Sequence, residues 1–119
     1  MKTKLPLDNF TLAYIESALW SSTDDKDIPL DSNYSIADFA PEALEKMTDD
    51  CRRFQAENDL EGYPDANAGH DFWLTRCGHG CGFGENDFGT EDQCARLTRA
   101  CKNYGEVWLT VGDDGLIYC

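Results

Sequence analysis

The chain has 119 residues, of which 41% are hydrophobic and 12% aromatic, enough to fill one core and well outside the composition of chains that stay disordered. Its 23 Asp and Glu against 10 Lys and Arg leave a net charge of −13, which disfavours direct binding to nucleic acid or to an anionic bilayer, since both require a basic surface. No run approaches the roughly 20 apolar residues of a membrane span, and Asp8 and Asn9 follow the lysines of MKTKLPLDNF too closely for a secretory signal, so a cytoplasmic location is expected.

Residues 9–20 place Phe10, Leu12, Ile15, Leu19 and Trp20 mostly on one side at helical spacing, with Asp8 or Asn9 available as the cap. The polar stretch that follows, about 21–38, contains Pro29 and has neither period, so it reads as an irregular acidic loop. From Pro41 to about Asn58, the set Ala40, Leu44, Met47, Cys51 and Phe54 lines one face of a second helix. Pro41 suits its first turn. Glu42, Glu45, Asp49 and Asp50 are expected on its outward face.

Gly, Pro, Asn and Asp cluster in about 59–70 and predict a loop. Beyond it the period changes to two: Phe72 and Leu74 alternate with Trp73 and Thr75, and Cys81 to Phe83 follow a glycine-rich turn, which together suggest a hairpin. Thr90-Glu91-Asp92-Gln93 has the form of a capping box. The helix it opens has Cys94, Leu97, Cys101 and Tyr104 as its apolar set and Gly105 as its stop. Val107, Leu109 and Val111 then alternate with Trp108 and Thr110, Gly112 to Gly115 turns the chain, and Leu116 to Tyr118 returns. The expected fold is a single α+β domain in the order ααββαββ, its helices packed on one face of a small antiparallel sheet. The predicted core is Leu44, Met47, Phe54, Phe72, Leu74, Leu97, Val107 and Leu109.

Candidate chemistry is sparse. Cys77, His79 and Cys81 are metal-ligand types, but their spacing of one residue and the lack of a second pair argue against zinc, so no metal and no cofactor is expected. A Cys–His nucleophile, Cys77 or Cys81 with His79 or His70, is disfavoured because strand neighbours point to opposite faces. The run from Asp65 begins like a calcium loop, but its glycine stands at the fifth place and no Glu closes the twelfth. Nucleotide-binding and hydrolase signatures are absent, so the sequence supports no enzyme assignment. The six cysteines read as reduced small apolar residues.

Three strings, YIESALWSSTDD, GHDFWLTRCGHGCGF and VGDDGLIY, resemble a family of small uncharacterised proteins encoded by tailed bacteriophages and prophages. The resemblance spans most of the chain. The family pattern reads more like HDFWLTRNGHGAGFWD, so the sequence departs from it at Cys77, Cys81 and Gly84, and the thiols fall outside it. What remains is His70, Asp71, Arg76 and His79, a polar group expected at one end of the hairpin. The resemblance implies a phage accessory role in the cytoplasm of a host cell. Size and acidity then suggest a partner protein with a basic surface, bound through Asp24, Asp25, Asp27, Glu42, Glu45, Asp49 and Asp50, as a nucleic-acid mimic with an anti-defence, anti-CRISPR-like role. The alternative is a small enzyme or ligand-binding domain using the His/Asp/Arg group.

Overall fold

A computed structural model of the protein describes residues 7–77, 83 and 89–119. Helix α1 spans Asn9–Ser21 and opens as expected, with Asp8 Oδ1 accepting from the Thr11 amide at 2.8 Å. Two single 3-10 turns, Leu30–Ser32 and Ile36–Asp38, interrupt the acidic loop. Helix α2 runs over Pro41–Glu57. Helix α4, Glu91–Lys102, starts at Thr90, whose hydroxyl accepts from the Gln93 amide at 3.0 Å. Gly105 has the positive φ of 74° that the sequence assigned to it.

The predicted first hairpin is corrected by a helix. Residues 65–76, DANAGHDFWLTR, form α3, Asp65–Arg76, so the loop ends at Pro64 and the run from Asp65 has no calcium-loop geometry. The alternation misled because Phe72, Trp73 and Leu74 are all buried. A helix enclosed by neighbours carries apolar residues at successive positions and loses its stripe. Gly69, read as a loop residue, sits inside α3 because α1 crosses there: a Cβ on it would lie 2.0 Å from the Phe10 carbonyl oxygen. This close approach makes α1 against α3 the most extensive helix contact.

The chain order among the described residues is therefore four helices followed by two short strands, β1 (Thr110–Val111) and β2 (Ile117–Tyr118), instead of ααββαββ. They pair antiparallel, Thr110 opposite Tyr118 and Val111 opposite Ile117. The sheet is too small to serve as a layer for the helices. Its outer flank on the β2 side is joined to the start of α2, where the Ala40 amide donates to the Ile117 carbonyl at 2.9 Å.

One apolar cluster unites all these elements. Phe54 stacks on Phe72 with ring centroids 4.1 Å apart, and Trp73 meets Tyr14 edge-on at 5.4 Å. Seven of the eight predicted core residues are buried, and Leu44 is the exception at half-burial, with Ala43 taking the inward position. On α1 the inward face is Phe10, Tyr14, Ile15, Ala18 and Leu19, while Trp20 is 47% exposed.

Candidate functional site

His70, Asp71 and Arg76 all lie on α3, and His79 lies outside the described residues together with Cys81 and Gly84. Five helical positions separate Asp71 from Arg76, so the two side chains leave the helix on different sides. They serve two separate networks.

Arg76 is 4% exposed and its donors are committed. Nε donates to the Gly105 carbonyl at 2.9 Å, Nη2 to the Tyr104 carbonyl at 2.8 Å, and Nη1 to both the Tyr14 hydroxyl and Asp50 Oδ2 at 2.9 Å. Two of those acceptors are carbonyls just beyond the end of α4, so the guanidinium ties α1, α2 and α3 to the chain leaving α4. Burial alone would lower the Arg76 pKa, but Tyr14 and Asp50 hold the guanidinium above its ordinary value. Burial pushes the Tyr14 phenol well above its usual range. This is a structural network that engages four of the five guanidinium N–H groups.

The second network is nearer solvent. Asp71 is 1% exposed, accepts a hydrogen bond from the Tyr63 hydroxyl, and places Oδ1 2.9 Å from His70 Nδ1. The half-exposed imidazole lies beneath Trp20, ring centroids 5.9 Å apart and planes within 28°. A buried carboxylate thus fixes the orientation of an accessible imidazole, which leaves Nε2 for proton transfer or hydrogen bonding. Tyr63 and Trp20 were missed in the sequence. Tyr63 stands across the α3 start from Asp71 and has no local signature, whereas Trp20 was read only as part of the apolar side of the first helix.

The acids divide in the same way. Asp50, expected outward, is turned toward Arg76 and also lies 3.5 Å from Lys46 Nζ, so it is removed from the docking face. Asp49 pairs with Arg52 at 3.0 Å. Asp24 shapes its own loop, Oδ1 accepting from the Lys26 amide at 2.8 Å and the Ile28 amide at 3.0 Å. Asp25, Asp27, Glu42 and Glu45 are exposed and form no ion pair among the described residues.

Asp24, Asp25 and Glu42 lie near the C-terminal hairpin. Asp24 and Asp25 share a groove of about 730 Å³ with Leu109 to Asp113. Opposite, a hydrogen bond to Asp114 Oδ2 at 2.6 Å raises the Tyr118 phenol, with a smaller contribution from the Glu42 charge. Asp113 and Asp114 were read only as turn residues, although they lie between the two predicted acidic segments.

Cys51, Cys77 and Cys101 are poor nucleophiles. Burial raises Cys77 to about 11 and Cys101 to about 12, and it raises Cys51 further, so each is a neutral thiol at physiological pH. Cys77 Sγ rests 3.5 Å from the Val107 carbonyl.

Fold and surface together define a small helical α+β protein with an acidic exterior and, among the described residues, one oriented histidine. Comparison with family models, characterised proteins and solved structures gives no match.

Proposed function

We propose that the protein is a phage or prophage accessory protein that binds a host protein through its acidic surface, in the host cytoplasm. In this reading its carboxylates take the place of nucleic-acid phosphates on a basic partner, an anti-defence role of the anti-CRISPR kind. The motif resemblance and the net charge of −13 support it. The observation that carries it is the exposure of Asp25, Asp27, Glu42 and Glu45 without ion pairs among the described residues, with Asp25 sharing a groove with Asp113 of the C-terminal hairpin. Exposed carboxylates without local partners keep a long-range field, which speeds encounter with a basic protein and opposes acidic competitors.

The test is an affinity pull-down from the bacterial host, followed by association kinetics with the captured protein. Between 0.1 and 1 M salt the Debye length shrinks from about 10 to about 3 Å, so association should slow sharply. Glu42→Lys with Glu45→Lys should weaken it further. A partner whose association rate is indifferent to both salt and charge reversal would reduce the acidity to a solubility device.

One observation favours a second reading, a ligand-binding or catalytic role for the histidine. Asp71 orients His70 beneath a half-exposed indole, an arrangement suited to stacking a planar ligand beside a proton-transfer group. A screen of aromatic metabolites by Trp fluorescence, repeated on Trp20→Ala and His70→Gln, tests it. Hits that persist in both variants refute the site.

A further inference from the structure

Among the described residues, strand β1 is a free edge. Among the described residues the sheet has the order β1–β2, and β2 is flanked on its other side by Phe39 through a parallel bridge to Ile117. The phase of the ladder decides which amides that edge presents. The Gly112 amide donates to the Leu116 carbonyl at 2.8 Å across the turn, and hydrogen-bonded pairs alternate along an antiparallel ladder. Thr110 therefore bonds to Tyr118, while the backbone N–H and C=O groups of Leu109 and Val111 point away from β2. The same phase explains why the Ile117 carbonyl, opposite Val111, reaches outward to Ala40.

Leu109 to Asp113 also form one wall of the 730 Å³ groove, whose other wall is the loop carrying Asp24, Asp25, Ile28 and Tyr34. Three carboxylates, from Asp24, Asp25 and Asp113, stand against one amine, Lys26. Ile28 is 38% exposed, and Trp108, on the same extended run as β1, is 69% exposed. An unpaired strand edge, apolar surface and a surplus of negative charge thus meet along one line. Apolar contact and backbone pairing suit an extended chain, and the carboxylates suit its guanidinium or ammonium groups.

We propose that this groove binds an extended, basic segment of a partner protein, which adds to β1 as a third strand through the Leu109 and Val111 backbone groups. Its Arg or Lys side chains meet Asp24, Asp25 and Asp113, and intervening apolar side chains cover Ile28 and Tyr34. The inference rests on the acidic-docking reading and goes further by fixing the place and backbone conformation of the segment.

The probe is a capped octapeptide alternating Arg and Val, titrated into the full chain by calorimetry, with amide hydrogen exchange read at Leu109 and Val111. Binding should protect those two amides, and Asp25→Asn with Asp113→Asn should weaken it about tenfold, as expected for losing charged partners. Val111→Pro removes an amide that β2 does not use, at an edge position where proline is tolerated, and should also weaken binding about tenfold. The same peptide N-methylated at alternate residues, offered to the unaltered protein, should fail to bind, which separates lost pairing from a misfolded variant.

Binding that survives N-methylation and Val111→Pro but is lost in the Asn variant would overturn strand addition while leaving charge-based docking standing. No binding of the peptide at low salt overturns the groove as a site, and a host partner sensitive to salt and to Glu42→Lys with Glu45→Lys would still uphold the docking reading. Concentration-dependent protection of Leu109 and Val111 without peptide would assign the edge to a second copy of the chain instead.

Discussion

Replacing Arg76 by Met keeps the apolar stem but removes every donor of the buried guanidinium. Asp50 and the Tyr14 hydroxyl lose a partner 2.9 Å away, and the carbonyls of Tyr104 and Gly105 lose theirs. Breaking a buried ion pair from one side costs about 3–5 kcal/mol. Asp50 retains 15% side-chain exposure and Lys46 at 3.5 Å, which places the loss near the lower end, at about 3 kcal/mol. With an unfolding entropy of about 2.1 cal/mol/K per residue, each kcal/mol moves the Tm of a chain this size by about 4 °C, so a fall of about 12 °C is expected. Thermal denaturation by circular dichroism, with urea titration as a second measure, reads it. Adding Asp50→Leu to Arg76→Met removes the stranded charge, so the double variant should lose less than the sum of the two single variants. A fall of under about 4 °C for Arg76→Met, or strict additivity in the pair, would refute the account of Arg76 as the tie between the helices.

Gly69→Ala should lower stability although alanine is the better helix former by about 1 kcal/mol, because its Cβ would meet the Phe10 carbonyl oxygen at 2.0 Å; a raised Tm would show that α1 and α3 do not approach as described. Leu97→Ala removes a fully buried side chain from α4 and should cost about 2–5 kcal/mol in urea unfolding, so a neutral result would displace α4 from the core. Stability should decline as pH rises from about 9 toward 12, because burial raises Cys101 from the ordinary thiol value of 9.0 to about 12 and Cys77 to about 11. In that window the unfolded chain has released protons that the folded chain still holds, and the slope of unfolding free energy with pH is then negative; a flat alkaline limb in urea titrations from pH 8 to 11 would contradict it.

Three of the four helices were legible in the sequence because their signals are local. Asp8 accepting from the Thr11 amide, Pro41 in a first turn, Thr90 accepting from the Gln93 amide and Gly105 at positive φ each satisfy or terminate backbone within a few residues. Even here the capping box was half right. The Gln93 side chain leaves its own helix and donates to the Asp59 and Glu61 carbonyls, both at 3.1 Å, pinning the loop before α3.

What the tertiary structure decided is non-local. Helix α3 is covered by its neighbours, so Phe72, Trp73 and Leu74 are buried in succession and the stripe that identifies an amphipathic helix is lost. Gly69, a turn signal in sequence terms, instead marks the place where another backbone passes. The sequence by itself determined the surplus of carboxylates, the cap residues and most of the core. Which carboxylates keep their charge free of partners was decided by the packing, which turned Asp50 toward Arg76 and Asp71 toward Tyr63 and His70 and left Glu42 and Glu45 in solvent. The physical reason is that charge belongs to the residue, whereas its neutralisation depends on atoms brought near by distant segments of chain.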